Sequence, residues 1–177
     1  MNYYIEYEFL DDEKNVFKPI SYDELMYMLN NFQTGLVYIG GAWCKSCQAI
    51  VHNINKIAKE MGLDTVYNYD PKFINVFKDE EDLRDCKTLE IKLKYYEFVE
   101  KTGFKSNELV KDTLIPRIPV PSLFAIKNGK CEGYYSIELI KGKTMLHYKD
   151  DDVDRTSELE NNIKNLINKL KINGAFI

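Results

Sequence analysis

The chain has 177 residues, 45% of them apolar and 13% aromatic, enough to fill one sizeable buried core. A formal net charge of −4 provides no basic field for phosphate backbones or anionic lipid, so nucleic acid and membrane surfaces are not expected partners. The opening "MNYYIEYEFLDDEK" carries acids and no uninterrupted apolar core, which argues against a secretory leader, and the longest mostly apolar stretch, residues 35–44, is too short to span a bilayer.

Along the chain, residues 21–32, "SYDELMYMLNNF", pair Ser21 with Glu24 as a capping box and place Leu25, Met28, Leu29 and Phe32 on one face, which predicts a helix. "LVYIGG" at 36–41 is a short continuous apolar run, the pattern of a strand buried on both sides. From Cys44 onward Cys47, Ile50, Ile54, Ile57, Ala58 and Met61 recur at three- and four-residue intervals, predicting a long amphipathic helix that begins at the cysteines and stops at Gly62. "DTVYNYD" at 64–70 is a second strand, closed by Pro71, and the strand, helix, strand order predicts parallel pairing. Residues 72–113 are rich in charge, with Leu83, Cys86, Leu89, Leu93, Tyr96 and Val99 at helical spacing and a stop at Gly103. They predict an inserted helical segment. "SLFAIKNGKCEGYYSIELI" at 122–140 reads as a hairpin turning at Asn128-Gly129, and Leu159, Ile163, Leu166, Ile167 and Leu170 mark a closing helix over 156–170. The expected class is α/β, with residues 1–177 as a single domain containing no internal repeat or dividing linker.

A cytoplasmic location is expected. In a reducing compartment a close cysteine pair is catalytic or metal-binding rather than part of a disulfide framework. At a helix start, Cys44 lies beside unpaired backbone N–H groups and the positive end of the macrodipole, which favour thiolate over thiol, and Lys45 adds a cation next door. One turn on, Cys47 is close enough to close a disulfide with it. Disulfide exchange needs this pairing: Cys44, at the exposed edge, attacks, and Cys47, further in, resolves. Two other readings stay open. Half a zinc site is one, although Cys86, Cys131, His52 and His147 are each isolated; a pair of inert reduced cysteines is the other.

The stretch "LVYIGGAWCKSC" resembles the buried strand of the thioredoxin family running into its Trp-Cys-x-x-Cys motif, and "VPSLFAIKNGK" resembles that family's cis-proline strand and hairpin. The resemblance covers residues 21–71 and 114–170. It implies a thioredoxin-like fold, with a central mixed sheet, helices on both faces and the helical insertion ahead of the proline strand. It also implies that Pro121, after Val120, is a cis-proline facing the cysteines, with Val120 offering its backbone to an extended substrate. The alternative is an ordinary trans proline opening an edge strand. Trp43 is either a shield and substrate surface, as the resemblance implies, or a core residue.

Departures from the family pattern tune the expectation. Tyr38 stands six residues before Cys44, where thioredoxins keep a buried aspartate. A phenol with an ordinary pKa of about 10 is a poor base at neutral pH, so the resemblance does not by itself imply fast reductase turnover. Lys45 and Ser46 replace the usual Gly-Pro, and His52 stands where the long helix has a kinking proline; His52 is expected as a surface or packing residue. The insertion either shapes a partner site or extends the core. Cys86 and Cys131 are expected as small buried apolar residues, and the "DDDVD" at 150–154 as a solvated helix lead-in, not a calcium loop.

The expected activity is thiol-disulfide exchange on protein or small-molecule disulfides, with a separate reductase or small thiol as electron donor and no cofactor. The runner-up is a thioredoxin-like accessory protein that binds a partner through its groove and insertion while the cysteines turn over little.

Overall fold

The structure, a computed structural model, describes residues 2–72, 82–137 and 153–176. In chain order its elements are α1 (Tyr3–Glu6), β1 (Phe17–Pro19), α2 (Tyr22–Asn30), β2 (Gly35–Ile39), α3 (Lys45–Glu60), β3 (Val66–Tyr69), a 3₁₀ turn (Leu83–Asp85), α4 (Leu89–Thr102), β4 (Ser122–Lys127), β5 (Lys130–Ser136) and α5 (Val153–Leu170). The strands form one mixed sheet in the order β1-β3-β2-β4-β5. β3 runs parallel to both β1 and β2, while β4 is antiparallel to β2 and to β5. Among the described residues no helix is long and apolar enough to cross a membrane.

The two central strands explain the layering. Successive side chains of a strand point to opposite faces, so a run that is apolar at every position must be covered on both. In β2, Leu36 and Tyr38 join one core cluster while Val37 and Ile39 join the other; in β4, Leu123 and Ala125 oppose Phe124 and Ile126 in the same way. The first cluster is roofed by α3 and α5, through Ile50, Ile54, Ile57, Leu159, Ile163 and Ile167. Each fully buried isoleucine or leucine contributes roughly 1.5–3 kcal/mol of transfer free energy, which outweighs the modest helix preference of the Ile, Asn and His residues in α3. The second cluster is covered by α2 and α4. This is an α/β architecture, a mixed five-stranded sheet with helices on both faces.

Several expectations meet the structure with changes. Ser21 caps α2, and Glu24 returns the bond to complete the capping box, but the helix ends at Asn30. Phe32 lies beyond that end at φ +55° and is 79% exposed, so it does not belong to the apolar face. In the insertion, Leu83 and Cys86 precede the helix, whose cap is Thr88. Leu89, Leu93 and Tyr96 face outward, and Ile91, Tyr95, Phe98 and Val99 form the buried stripe. Both sets fit a helical period. Which one turns inward is set by the Phe98 ring meeting the edge of Phe124 on β4, a tertiary contact that periodicity cannot supply. Residues 73–81 of the insertion lie outside the described residues, as do 138–140 of the hairpin, His147 and residues 150–152 of the acidic run.

The hairpin turns where expected, with Asn128 and Gly129 at φ +50° and +74°, the positive values a type I′ turn requires. The closing helix buries all five of its marked apolar residues.

Two elements without a sequence signal, α1 and β1, belong to an N-terminal segment that lies along α3. The Gln48 side chain accepts from the Glu8 N–H at 2.9 Å and donates to the Glu6 carbonyl at 3.0 Å. Asp12 receives Asn55 at 2.8 Å and the Lys59 ammonium, and the Tyr3 hydroxyl donates to Asn68 at 3.0 Å.

Candidate active site

The site forms where β2 ends and α3 begins. The link between them is held from β3: the Asn68 side-chain amide donates to the carbonyls of Tyr38 and Gly40 at 3.1 and 3.0 Å, and the Cys44 N–H closes a turn onto the Gly41 carbonyl at 3.0 Å. Cys44 then takes the N-cap position of α3, with extended backbone angles. Its sulfur accepts the Cys47 N–H at 3.3 Å, where a cap serine or aspartate would place an oxygen. A sulfur is a weak acceptor as a thiol and a strong one as a thiolate, so the cap favours ionisation.

The environments of the two sulfurs push their protonation apart. Cys44 is half-buried and its pKa is lowered to about 6, chiefly by the Cys47 thiol donating to it. The Cys47 and Ser46 backbone N–H groups and the Arg84 charge help, against the opposing effect of burial. Cys47 has no exposed surface, and burial together with the adjacent Cys44 sulfur raises its pKa well above the ordinary thiol range. One sulfur is therefore anionic and reachable while its neighbour one turn along is a proton-bearing thiol. Both are free thiols.

Of the nearby cations, Arg84 bears on Cys44 more strongly than the neighbouring Lys45. Lys45 is exposed, whereas Arg84, in the 3₁₀ turn of the insertion, is 6% exposed and bears on Cys44. Arg84 is held by a paired interaction with Asp82, Nε to Oδ1 at 3.0 Å and Nη2 to Oδ2 at 2.7 Å, and donates through Nη1 to the Ile118 carbonyl at 3.0 Å. Burial alone would raise the Asp82 pKa, but the Arg84 hydrogen bonds and charge hold it below the usual carboxylate range. The insertion thus brings a desolvated guanidinium to the cysteine pair.

Trp43 stands beside them, 38% exposed. Its indole N–H donates to both oxygens of Asp70, at 3.0 and 3.1 Å, while the Lys72 ammonium lies 4.0 Å and the Arg84 guanidinium carbon 5.8 Å from the ring centroid. These are cation–π distances, and together with the Asp70 bonds they anchor a ring that stays partly open to solvent. Burial raises the Asp70 pKa, and the Trp43 and Lys72 N–H groups partly offset the effect.

The Val120–Pro121 peptide is cis. Pro121 is buried, and β4, which follows it, lies between β2 and β5, so this is not an edge-strand proline. The Val120 carbonyl faces the cysteines, 3.8 Å from the Cys44 sulfur. Ser46 is half-buried and contributes its backbone N–H to Cys44. Tyr38 is fully buried on the α3 side of β2, next to Cys47.

Asp70, Lys72, Asp82 and Arg84 had no role in the sequence reading. Asp70 did carry a signal, since it ends a parallel strand at the edge where ligand sites collect. Arg84 carried none, because only the folded insertion brings it to Trp43. His52 is exposed and its ring faces Asp11 at 3.1 Å; Cys86 and Cys131 are only half-buried. Among the described residues no three histidine, cysteine or acidic side chains are grouped to hold a metal ion.

No family model matches the chain, and no curated protein does. Among solved structures the chain is similar to thioredoxin O2 from Arabidopsis thaliana in its oxidized state, at 16% identity and a TM-score of 0.37, over 82% of this chain and 96% of that one.

Proposed function

We propose that the chain is a thiol-disulfide oxidoreductase acting on disulfides in proteins or small molecules. The observation that carries this reading is the Cys44 sulfur at the cap of α3, half-buried, bonded by the Cys47 N–H at 3.3 Å and lowered to a pKa of about 6. In the reducing direction the Cys44 thiolate attacks one sulfur of the substrate disulfide. That S–S bond breaks, a mixed disulfide forms, and the departing substrate sulfur takes up a proton. Cys47 then gives up its proton and attacks the Cys44 sulfur, releasing the second substrate thiol and leaving a Cys44–Cys47 disulfide. Two electrons pass from the pair to the substrate. A separate reductase or a small thiol restores the dithiol.

In this reading the exposed face of Trp43 and the Val120 backbone next to Pro121 receive the substrate chain. Arg84 and the Ser46 N–H help hold the attacking sulfur ionised, and the chemistry calls for no cofactor. Insulin reduction with dithiothreitol tests the assignment: Cys44→Ser is expected to fall to the uncatalysed rate. A second reading, an accessory protein that binds a partner, draws on the outward row of Leu89, Leu93 and Tyr96 on α4. Equal insulin rates for wild type and Cys44→Ser would favour it.

A further inference from the structure

Behind Cys47 lies a group of polar atoms that the exchange chemistry leaves unused. Tyr38 on β2 is fully buried, and Tyr7, in the N-terminal segment, is 1% exposed. Among the described residues neither hydroxyl has a hydrogen-bond partner of regular geometry. A buried hydroxyl without a partner is costly, and native structures keep few of them. Both nevertheless lie close enough to act on one another and on the Cys47 sulfur. A Cβ at Gly40 would fall 2.6 Å from the Tyr38 hydroxyl and 2.7 Å from the Cys47 sulfur. Hydroxyl and sulfur thus both press on the same spot, and only a glycine leaves room for them there.

On the basis of the redox reading above, we propose that the Tyr38 hydroxyl, backed by that of Tyr7, is a buried donor held in reserve for the Cys47 thiolate, which makes Tyr38 a positioning residue for the resolving step. While Cys47 bears its proton the sulfur is a poor acceptor and the hydroxyl stays unpaired. Once the proton leaves, the sulfur becomes a charged acceptor, and hydrogen bonds to ionised groups are roughly twice as strong as neutral ones. The bond thus forms mainly in the state that attacks. Tyr38 does not take the proton. Burial and the neighbouring sulfur hold the phenol well above its ordinary range, so it remains a donor throughout. The Cys47 proton goes to the departing substrate sulfur, and the two electrons follow the exchange already written.

Among the described residues, those that bear on Cys47 are Cys44 from α3, the Tyr38 hydroxyl from β2, Tyr7 from the N-terminal segment and the Gly41 backbone N–H. Tyr7 in turn faces Tyr3, its ring stacked at 5.8 Å, and feels the more distant Asp70. The Tyr38 ring also packs on Phe17 at 5.8 Å. That contact survives when only the hydroxyl is removed.

The test is a pH titration of the Cys47 thiolate by its ultraviolet absorbance in the Cys44→Ser protein, with and without Tyr38→Phe. A parallel measurement follows release of a preformed mixed disulfide on Cys44 in the two-cysteine protein. Tyr38→Phe is expected to raise the Cys47 midpoint by about one pH unit and to slow release about tenfold at pH 7, the scale of one charged hydrogen bond. The midpoint for Cys44 alkylation should move far less. Tyr7→Phe should shift Cys47 in the same direction by a smaller amount, which keeps the proposal open to test if Tyr38→Phe folds poorly. An unmoved Cys47 titration in both phenylalanine variants would overturn it. So would an equal rise in the Cys44 and Cys47 midpoints, which marks a general loosening of the fold. The titration needs no turnover, so a chain that shows the Cys47 shift yet reduces no insulin would keep the bond from the Tyr38 hydroxyl to the thiolate and lose both the redox reading and the resolving role built on it.

Discussion

The pKa of Cys44 carries a quantitative test that works best in acid. With a midpoint at about 6, roughly nine-tenths of the sulfur is thiolate at pH 7 and roughly one-tenth at pH 5. An ordinary cysteine with a pKa of about 8.5 is roughly 3% thiolate at pH 7 and 0.03% at pH 5. The advantage in thiolate fraction is thus about 30-fold at pH 7 and about 300-fold at pH 5. A more acidic thiol is also a weaker nucleophile, and a Brønsted slope of about 0.4–0.5 over that shift removes a factor of about 10 to 18. What remains is a rate only about two- to threefold above a free cysteine at pH 7, but about 16- to 30-fold at pH 5. The assay is pulsed alkylation of the fully reduced protein by iodoacetamide from pH 4 to 9, with each cysteine peptide quantified by mass spectrometry. Cys86 and Cys131 serve as internal references, because burial raises the pKa of both. A Cys44 profile with its midpoint at 8 or above, or one that follows Cys86, would refute the argument that the helix cap and its donors ionise this sulfur.

Three further outcomes follow from the insertion. Arg84→Met leaves the buried Asp82 carboxylate without its partner and should lower stability in urea unfolding by about 3–5 kcal/mol, while raising the Cys44 alkylation midpoint; adding Asp82→Asn should recover most of the stability and none of the midpoint. The Asp82 pKa is lowered on folding, so its stabilisation is complete above an unfolded value of about 4 and is lost as pH falls through the lower folded value, and acid unfolding of the double variant should lack that component. Phe98→Ala, on the buried side of α4, should cost about 3–5 kcal/mol in the same unfolding assay, whereas Leu93→Gln on its outer side should change stability by less than about 0.5 kcal/mol. Equal costs would mean that the inward face has been misassigned.

How far the sequence could be read depended on whether a residue's role was local. The capping box of α2, the Asn128-Gly129 turn and the start of α3 at the cysteines are set by neighbours within four residues, and the structure has them in place. β2 was legible because a continuous apolar run leaves no face for water, and β4 because its strand-forming run leads straight into the Asn128-Gly129 turn. The orientation of α4 was not, since two stripes fit the same period and a contact with Phe124, distant in sequence, chooses between them. The same limit applied to the site. Cys44 and Cys47 announce themselves by spacing, but the arginine beside them comes from a segment whose position only the folded insertion defines. β1 has three residues and α1 four, each too short for a periodic signal.

The N-terminal segment has one more consequence. Tyr3, Tyr7 and Leu10 lie over the end of the sheet where the Cys47 sulfur is enclosed, and Gln48, Asn55 and Lys59 of the cysteine helix fasten that covering down. The dryness around the inner sulfur is therefore a property lent by the first dozen residues, and a truncation or an appended tag there alters the electrochemistry of a pair more than thirty positions away.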